Sequence, residues 1–257
     1  MTGAPYTPQR GLGAMLARRR VQNHAARPAM LRPARPLISF TFDDFPKSAA
    51  RTGAALLDHV GGRGTFYASA AFAGQITHTG EMFDANDVKR LLADGHEIGC
   101  HTYTHLDCAR AAPGDVFADM VRNAVALGEM GMEDRLVSFA YPYGETTVAL
   151  KSQLPSRFTS ARGITPGLAS GRADLAQLRA NAMYGPGALR RCLAVLEAAR
   201  RRNGWVIFFT HDVSSRPSPW GTPSGLLERL CGAAFTGGID ILPVREALAR
   251  VLSESGS

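Results

Sequence analysis

The stretch that decides the fold of this chain reads Leu37-Ile38-Ser39-Phe40-Thr41-Phe42-Asp43-Asp44. Its apolar run predicts a buried strand over residues 37–42, and two adjacent carboxylates follow that strand at once. Neighbouring carboxylates repel each other unless positive charge lies beside them, and a divalent metal is the usual partner. The stretch therefore predicts a metal site at the end of a buried strand.

Short apolar runs and helical stretches alternate along the rest of the chain. Several of the runs lack a polar–apolar alternation, which is typical of strands covered on both faces. Strands are predicted over residues 37–42, 64–67, 97–101, 136–140, 158–161, 178–183, 205–210 and 239–242. Helices are predicted over residues 49–60, 86–94, 113–130, 188–202, 223–234 and 244–252. About seven or eight strand–helix repeats predict an α/β fold with a parallel barrel, and an open doubly wound sheet is the alternative.

Two further segments carry side chains that can bind a metal or move a proton. Two imidazoles lie four residues apart in His101-Thr102-Tyr103-Thr104-His105, and another apolar run ends in Phe209-Thr210-His211. One carboxylate and two imidazoles, with coordination positions left open, suit a hydrolytic zinc ion. The carboxyl ends of all strands of a parallel barrel meet at one face, so these segments would meet Asp43 and Asp44 there. This convergence favours the barrel over the open sheet.

The length fits one large domain or two small ones, and a single barrel of about 250 residues is common. The chain has 257 residues, of which 45% are hydrophobic. No run of about 18 apolar residues occurs, so we expect no membrane-spanning helix. We also expect no secretory signal, because the N-terminus lacks an apolar core of about 7–15 residues followed by a cleavage site. The cysteines form no C-x-x-C pair, and we expect reduced, buried thiols at Cys100, Cys108, Cys192 and Cys231.

The excess positive charge lies in the first 36 residues. The net charge is +7, and residues 1–36 contain seven arginines but no Asp, Glu or Lys. We therefore predict a basic N-terminal arm over residues 1–36 and a neutral catalytic domain over residues 37–257. The arm is interpreted as a loose extension or a segment packed on a neighbouring subunit of a homo-oligomer. The alternative is peripheral contact with an anionic membrane surface. Nucleic acid is not an expected partner, because the domain itself has no excess of basic residues.

The motifs together resemble the polysaccharide deacetylase (NodB-like) family, carbohydrate esterase family four, over residues 37–250. The first two family motifs correspond to residues 41–44 and 101–105, and the last corresponds to residues 209–211. Phe139-Ala140-Tyr141-Pro142-Tyr143-Gly144 matches the third motif in part. The resemblance implies a distorted, incomplete (β/α) parallel barrel of about seven strands. It also implies metal-dependent removal of N- or O-acetyl groups from sugars.

The resemblance assigns a role to each matching residue. The metal ligands would be Asp44, His101 and His105, with Zn²⁺ as the preferred divalent ion. Asp43 would act as the general base and His211 as the general acid that protonates the leaving amine. The backbone N–H of Tyr143 would stabilise the oxyanion.

Three departures from the family pattern concern the neighbours of these residues. Ala140 stands where the family commonly has an arginine that orients the base, and the replacement could be Arg162 or Arg179, of which we prefer Arg179. The Asp-rich fourth motif is not evident, which leaves Asp174 or Asp212 as candidates to support His211. Trp220 could stack on a sugar ring or fix its own loop.

These observations predict an N-deacetylase for a bacterial surface polysaccharide or its lipid-linked precursor, of the kind used in exopolysaccharide or holdfast synthesis. We expect it in the cytoplasm, at the inner membrane surface if the arm binds lipid. One alternative function is an amidase that acts on a small cyclic amide or ureido compound. The other is a carbohydrate-binding protein without catalytic activity.

Overall fold

A curled parallel sheet forms the centre of the computed structural model, which describes residues 11–255. Residues 1–10 of the predicted arm and residues 256–257 of the predicted domain lie outside the described residues. The strands are β1 (Leu37–Asp43), β2 (Thr65–Ala68), β3 (Glu97–Cys100), β4 (Ser138–Ala140), β5 (Ser160–Arg162), β6 (Asn181–Ala182), β7 (Trp205–Thr210) and β8 (Asp240–Ile241). Seven of them follow the order β6-β7-β1-β2-β3-β4-β5, and β8 pairs with the start of β1. This half-barrel confirms the predicted fold class, and all eight predicted strands are present.

The sheet is incomplete between β5 and β6. In the described chain, a parallel bridge between Arg162 and Leu178 spans this side. The predicted strand over residues 178–183 is therefore reduced to two residues that pair with β7. Three short strand pairs lie outside the sheet: Pro28–Leu31 with Gly171–Asp174, Ile76–Thr77 with Gly80–Glu81, and Val213–Ser214 with Thr222–Pro223.

Eight α-helices surround the sheet in the described part of the chain. They are α1 (Leu12–Asn23), α2 (Ala54–Asp58), α3 (Ala85–Ala93), α4 (Pro113–Glu129), α5 (Val148–Gln153), α6 (Ala188–Arg202), α7 (Ser224–Thr236) and α8 (Val244–Ser255). A π-helical turn, Ala49–Gly53, leads into α2. Within residues 11–255, none of the helices has the length and apolar character needed to cross a bilayer.

Strand β1 is fully buried and has neighbours on both sides. All seven of its residues are buried, β7 pairs along it from Leu37 to Phe42, and β2 pairs with its last three residues. The Phe42 ring stacks on Phe66 with ring centroids 4.6 Å apart. Burying a phenylalanine contributes about 1.5–3 kcal/mol, so aromatic packing fixes the strand that ends in the two aspartates.

The opposite end of the barrel is tied together by one buried carboxylate. Glu97 accepts hydrogen bonds from the Thr65 hydroxyl at 2.8 Å and the Ser138 hydroxyl at 2.6 Å, which join the first residues of β2, β3 and β4. It also accepts the Arg245 backbone N–H at 2.9 Å. A carboxylate at the N-terminus of α8 matches the positive end of the helix dipole.

The described part of the arm packs on the domain. The buried Lys151 ammonium lies 2.8 Å from the Val21 carbonyl of α1 and 2.9 Å from the Asp174 carboxylate. Asp174 also accepts the backbone N–H groups of Ala26 and Arg27. Asp174 therefore holds the arm, and the prediction that it supports His211 is wrong. All four cysteines are buried and unpaired, as predicted.

We expect Glu97→Ala to lower the free energy of unfolding by about 3 kcal/mol, because two buried hydroxyls and one part-buried backbone N–H lose their acceptor together. Urea unfolding followed by circular dichroism measures this change. The exposed Glu133 provides the matched control, and Glu133→Ala should change stability by at most about 0.5 kcal/mol. Equal unfolding midpoints for the two variants would contradict this role of Glu97.

Candidate active site

The candidate site lies where the carboxyl ends of several strands meet. Asp43 ends β1, and Asp44 follows with a backbone φ of 56°. Consecutive residues of a strand point to opposite faces, so two neighbouring carboxylates can serve one cleft only if the chain turns between them. His101 follows β3, and His211 follows β7.

Three side chains form a compact group of potential metal ligands. One ligand atom each from Asp44, His101 and His105 lies within 4.8 Å of the others. The His105 Nε2 is 3.8 Å from the Asp44 Oδ2. The His101 Nδ1 lies 2.8 Å from the carbonyl oxygen of Ala140, which can only accept, so Nδ1 carries the proton and Nε2 stays available as a ligand.

The electrostatics of these three residues fit a divalent cation. Burial lowers the pKa of His101 to about 4 and that of His105 to about 3, so both rings are neutral near pH 7. Burial raises the pKa of the Asp44 carboxyl. The buried Oδ1 of Asp44 has no hydrogen-bond partner among the described residues. Neutral imidazoles beside a buried carboxylate with an unsatisfied oxygen are the donors that a cation would complete.

Asp43 is held by Arg162, the last residue of β5. The Arg162 Nη2 donates to the Asp43 Oδ1, and its Nη1 donates to the Gly163 carbonyl at 3.0 Å. The guanidinium is buried and lies 5.2 Å from the ring centroid of Tyr67. Burial alone would raise the pKa of Asp43, but nearby positive charge, above all that of Arg162, outweighs it and lowers the pKa. Asp43 is therefore ionised at neutral pH, as a general base must be.

The preference for Arg179 over Arg162 is wrong. The exposed Arg179 side chain donates to the carbonyl of Pro166 at 2.8 Å. Arg162 pairs with Ala140 across the β4–β5 ladder. The arginine missing at position 140 is therefore supplied by the directly adjacent position of the next strand.

His211 is supported by a backbone carbonyl. Its Nδ1 lies 3.2 Å from the carbonyl oxygen of Trp220, which can only accept a hydrogen bond, so Nε2 is the nitrogen that can take up and release a proton. Asp212 instead accepts the backbone N–H of Ser218 at 2.8 Å and its hydroxyl at 2.5 Å. Asp212 thus acts on His211 only indirectly, by shaping the loop that carries Trp220.

Backbone strain is concentrated at this end of the barrel. Among the described residues, six besides glycine have positive φ, and the five at the site are Asp44, Phe45, Thr102, His105 and Tyr143. Such conformations persist only where the surrounding structure enforces them, and they cluster at functional sites. Tyr143 has a φ of 59°, and its ring lies edge-on to His105 with centroids 4.4 Å apart. The role of its backbone N–H as an oxyanion donor stays a prediction.

Sequence reasoning missed the contacts that two residues make near the site. Asp119 of α4 accepts the backbone N–H groups of Tyr103 and Thr104 at 2.8 and 2.9 Å, which fixes the loop between the two histidine ligands. The available signal was an acidic residue among the apolar positions of that helix. His78 lies edge-on to Trp220 at 5.0 Å, so the tryptophan ring joins its loop to the hairpin that carries His78.

Known proteins that are similar to this chain include polysaccharide deacetylases. Residues 31–156 match the model of the polysaccharide deacetylase family. The chain is similar to a chitin deacetylase from Arthroderma benhamiae, with 34% identity over 73 residues. That match covers 28% of this chain and 18% of the relative, so the chain spans less than a fifth of the relative's length.

Solved structures share the fold. A chitin deacetylase from Colletotrichum lindemuthianum has 18% identity and a TM-score of 0.60, over 87% of this chain and 92% of that chain. A family 4 acetyl xylan esterase from Clostridium thermocellum, in complex with a cobalt ion, has 21% identity and a TM-score of 0.58. The match covers 83% of this chain and 90% of that chain. A peptidoglycan deacetylase from Bacillus subtilis has 15% identity and a TM-score of 0.57, and the match covers 86% of this chain and 94% of that chain. Residues 31–156, about half of the chain, are thus similar to the polysaccharide deacetylase family, and the described residues share the fold of the solved deacetylases.

Proposed function

We propose that the protein is a metal-dependent hydrolase that removes N-acetyl groups from sugar residues of a bacterial polysaccharide or its lipid-linked precursor. One observation carries this proposal. A compact group of two neutral imidazoles and a carboxylate shares its cleft with a separately held carboxylate, Asp43, and a separately held imidazole, His211. Metal-dependent hydrolysis of an amide combines these three functions: a cation, a base and an acid.

The metal would be held by Asp44, His101 and His105, and we favour Zn²⁺ because two imidazoles and one carboxylate suit it. When bound there, a divalent cation polarises a carbonyl and lowers the pKa of water. Asp43 accepts the proton of the attacking water. The Arg162 guanidinium both orients this carboxylate and keeps it ionised before the reaction.

His211 supplies the proton that the leaving group needs. An amine anion is a very poor leaving group, so the C–N bond breaks only as the nitrogen becomes protonated. The Trp220 carbonyl keeps the Nδ1 proton in place, so the proton that reaches the sugar amine leaves from Nε2. The water oxygen ends in acetate and the amine leaves protonated. We propose the Tyr143 backbone N–H as the donor to the oxyanion.

The place of action proposed here is the cytoplasm, where the enzyme would meet the precursor before its export. The family and its relatives support a sugar substrate that carries acetyl groups. Deacetylation exposes a free amine on the sugar, which changes the product from neutral to cationic.

Acetate release from N-acetylglucosamine oligomers tests this function. We expect release that stops with a chelator and returns on addition of Zn²⁺, because the three candidate ligands lie close enough together to hold a cation. A panel of cyclic amides and ureido compounds serves as the control. Release of acetate that a chelator leaves unchanged, or turnover of the panel compounds alone, would contradict the proposal.

Substitution of Arg162 tests the assignment of the residue that orients the base. We expect Arg162→Ala to lower kcat by about a hundredfold, equal to about 2.7 kcal/mol, with metal content unchanged. Without the positive charge, burial raises the pKa of Asp43, so the acidic limb of the kcat/KM profile should move to higher pH. Arg179→Ala is the matched control and should leave kcat and the pH profile unchanged. Equal losses of kcat in the Arg162 and Arg179 variants would contradict the assignment of Arg162 as the residue that orients Asp43.

Substitution of His211 separates acid catalysis from metal binding. His211→Ala should keep its metal, measured by elemental analysis, but lose cleavage of N-acetyl substrates by about a hundredfold or more. An activated aryl acetate leaves without protonation, so its hydrolysis should fall far less. A parallel loss on both substrates would show that His211 does not protonate the leaving group.

A further inference from the structure

The helix α1 presents an exposed apolar stripe on the side facing away from the domain. Leu12, Met15 and Leu16 are 75%, 57% and 61% exposed, and their i, i+3, i+4 spacing places them on one face. Val21, on the opposite face, is buried against the domain. Three large apolar side chains in a row on a free helix face indicate an interaction surface.

The same helix is fixed to the mouth of the candidate active site. The Arg18 Nε donates to the Glu145 carboxylate at 2.7 Å, two residues after Tyr143. His24 and Ser152 form a second contact at 2.9 Å between their side chains. A cavity of about 290 Å³ lies between α1 and the loops that follow His105 and Tyr143. The helix α1 is therefore attached to the segment that follows Tyr143, beside the mouth of the site.

Other exposed apolar side chains lie at the same end of the barrel. Ile164 is exposed and so close to Gly144 that a Cβ there would meet it at 2.3 Å. The exposed Trp220 is next to His211, because its carbonyl contacts the His211 ring. The Trp220 ring also contacts the hairpin that carries His78 and the exposed Ile76. The mouth is thus rimmed by apolar side chains on several separate loops.

The charge beside the stripe indicates the kind of partner. Arg19 and Arg20 are exposed on α1, and residues 1–36 contain seven arginines without an acidic residue. Two copies of this helix face would bring like charges together, which opposes self-association. An anionic lipid surface matches both features, because arginines bind the headgroups while leucine and methionine enter the headgroup–acyl boundary.

We propose that Leu12, Met15 and Leu16, with Arg19 and Arg20, form a docking surface for an anionic lipid membrane and turn the mouth of the site toward it. The expected consequence, preference for a lipid-linked sugar, rests on the proposed function. The docking itself does not, since it is measured without substrate. Few apolar residues are involved, so binding should be reversible and should weaken with salt.

Cosedimentation of the full chain with vesicles tests the docking surface. We expect binding to vesicles of phosphatidylglycerol and phosphatidylcholine, little binding to phosphatidylcholine alone, and release at high salt. The triple variant Leu12→Ser, Met15→Ser, Leu16→Ser should bind about tenfold or more weakly. The double variant Arg19→Glu, Arg20→Glu should bind more weakly still at low salt. Acetate release from soluble oligomers should be unchanged in both.

The matched control is Val121→Ser, Val125→Ser, which removes two apolar residues that are 45% and 58% exposed on α4. This variant should bind like the unmodified chain. Equal sedimentation of the triple variant and the unmodified chain would overturn the proposal, as would equal binding to both kinds of vesicle. A chain that binds neither vesicle and is a dimer, which the triple variant converts to a monomer, would show that the stripe pairs with a second copy instead.

Discussion

The burial of two adjacent carboxylates is the constraint on which the rest of the site depends. An uncompensated buried charge costs several kcal/mol, and Asp43 and Asp44 are both buried within one cleft. The two buried carboxylates have different surroundings. Asp43 receives a permanent positive charge from Arg162, whereas Asp44 faces two neutral imidazoles and keeps an unsatisfied oxygen. The pair is therefore divided into an ionised carboxylate that pairs with Arg162 and a carboxylate that is a candidate metal ligand.

Two other acids hold loops around this pair through backbone N–H groups, and a third acid holds the arm in the same way. Asp119 binds the loop between the histidine ligands, and Asp212 binds the loop that carries Trp220. Asp174 binds the arm at Ala26 and Arg27. A carboxylate that accepts backbone hydrogen bonds satisfies donors that a loop would otherwise leave unpaired. Strained conformations such as those of Thr102 and His105 can persist because such contacts enforce them.

The sequence predicted the elements whose signal is local. Short apolar runs predicted all eight strands of the sheet, and the helix over residues 188–202 has the predicted bounds. The contact between Arg162 and Asp43 has no local signal, because it depends on the register that sets Arg162 beside Ala140. Arg179 was preferred for its strand-like surroundings, but its segment pairs with β5 only at Leu178. The support of His211 was missed for the same reason, since a backbone carbonyl such as that of Trp220 leaves no mark in a sequence.

The arm shows how tertiary contacts decide what a short segment does. A helix of 12 residues is marginal on its own in water, so α1 depends on the contacts of Arg18 and Val21 with the domain. These contacts are made to the segment just after Tyr143, through Glu145 and Lys151. Ordering or displacing α1 would therefore affect the loop beside the candidate metal ligands. A partner that binds the arm would affect the candidate active site through these contacts. A flexible extension without such contacts could not do so.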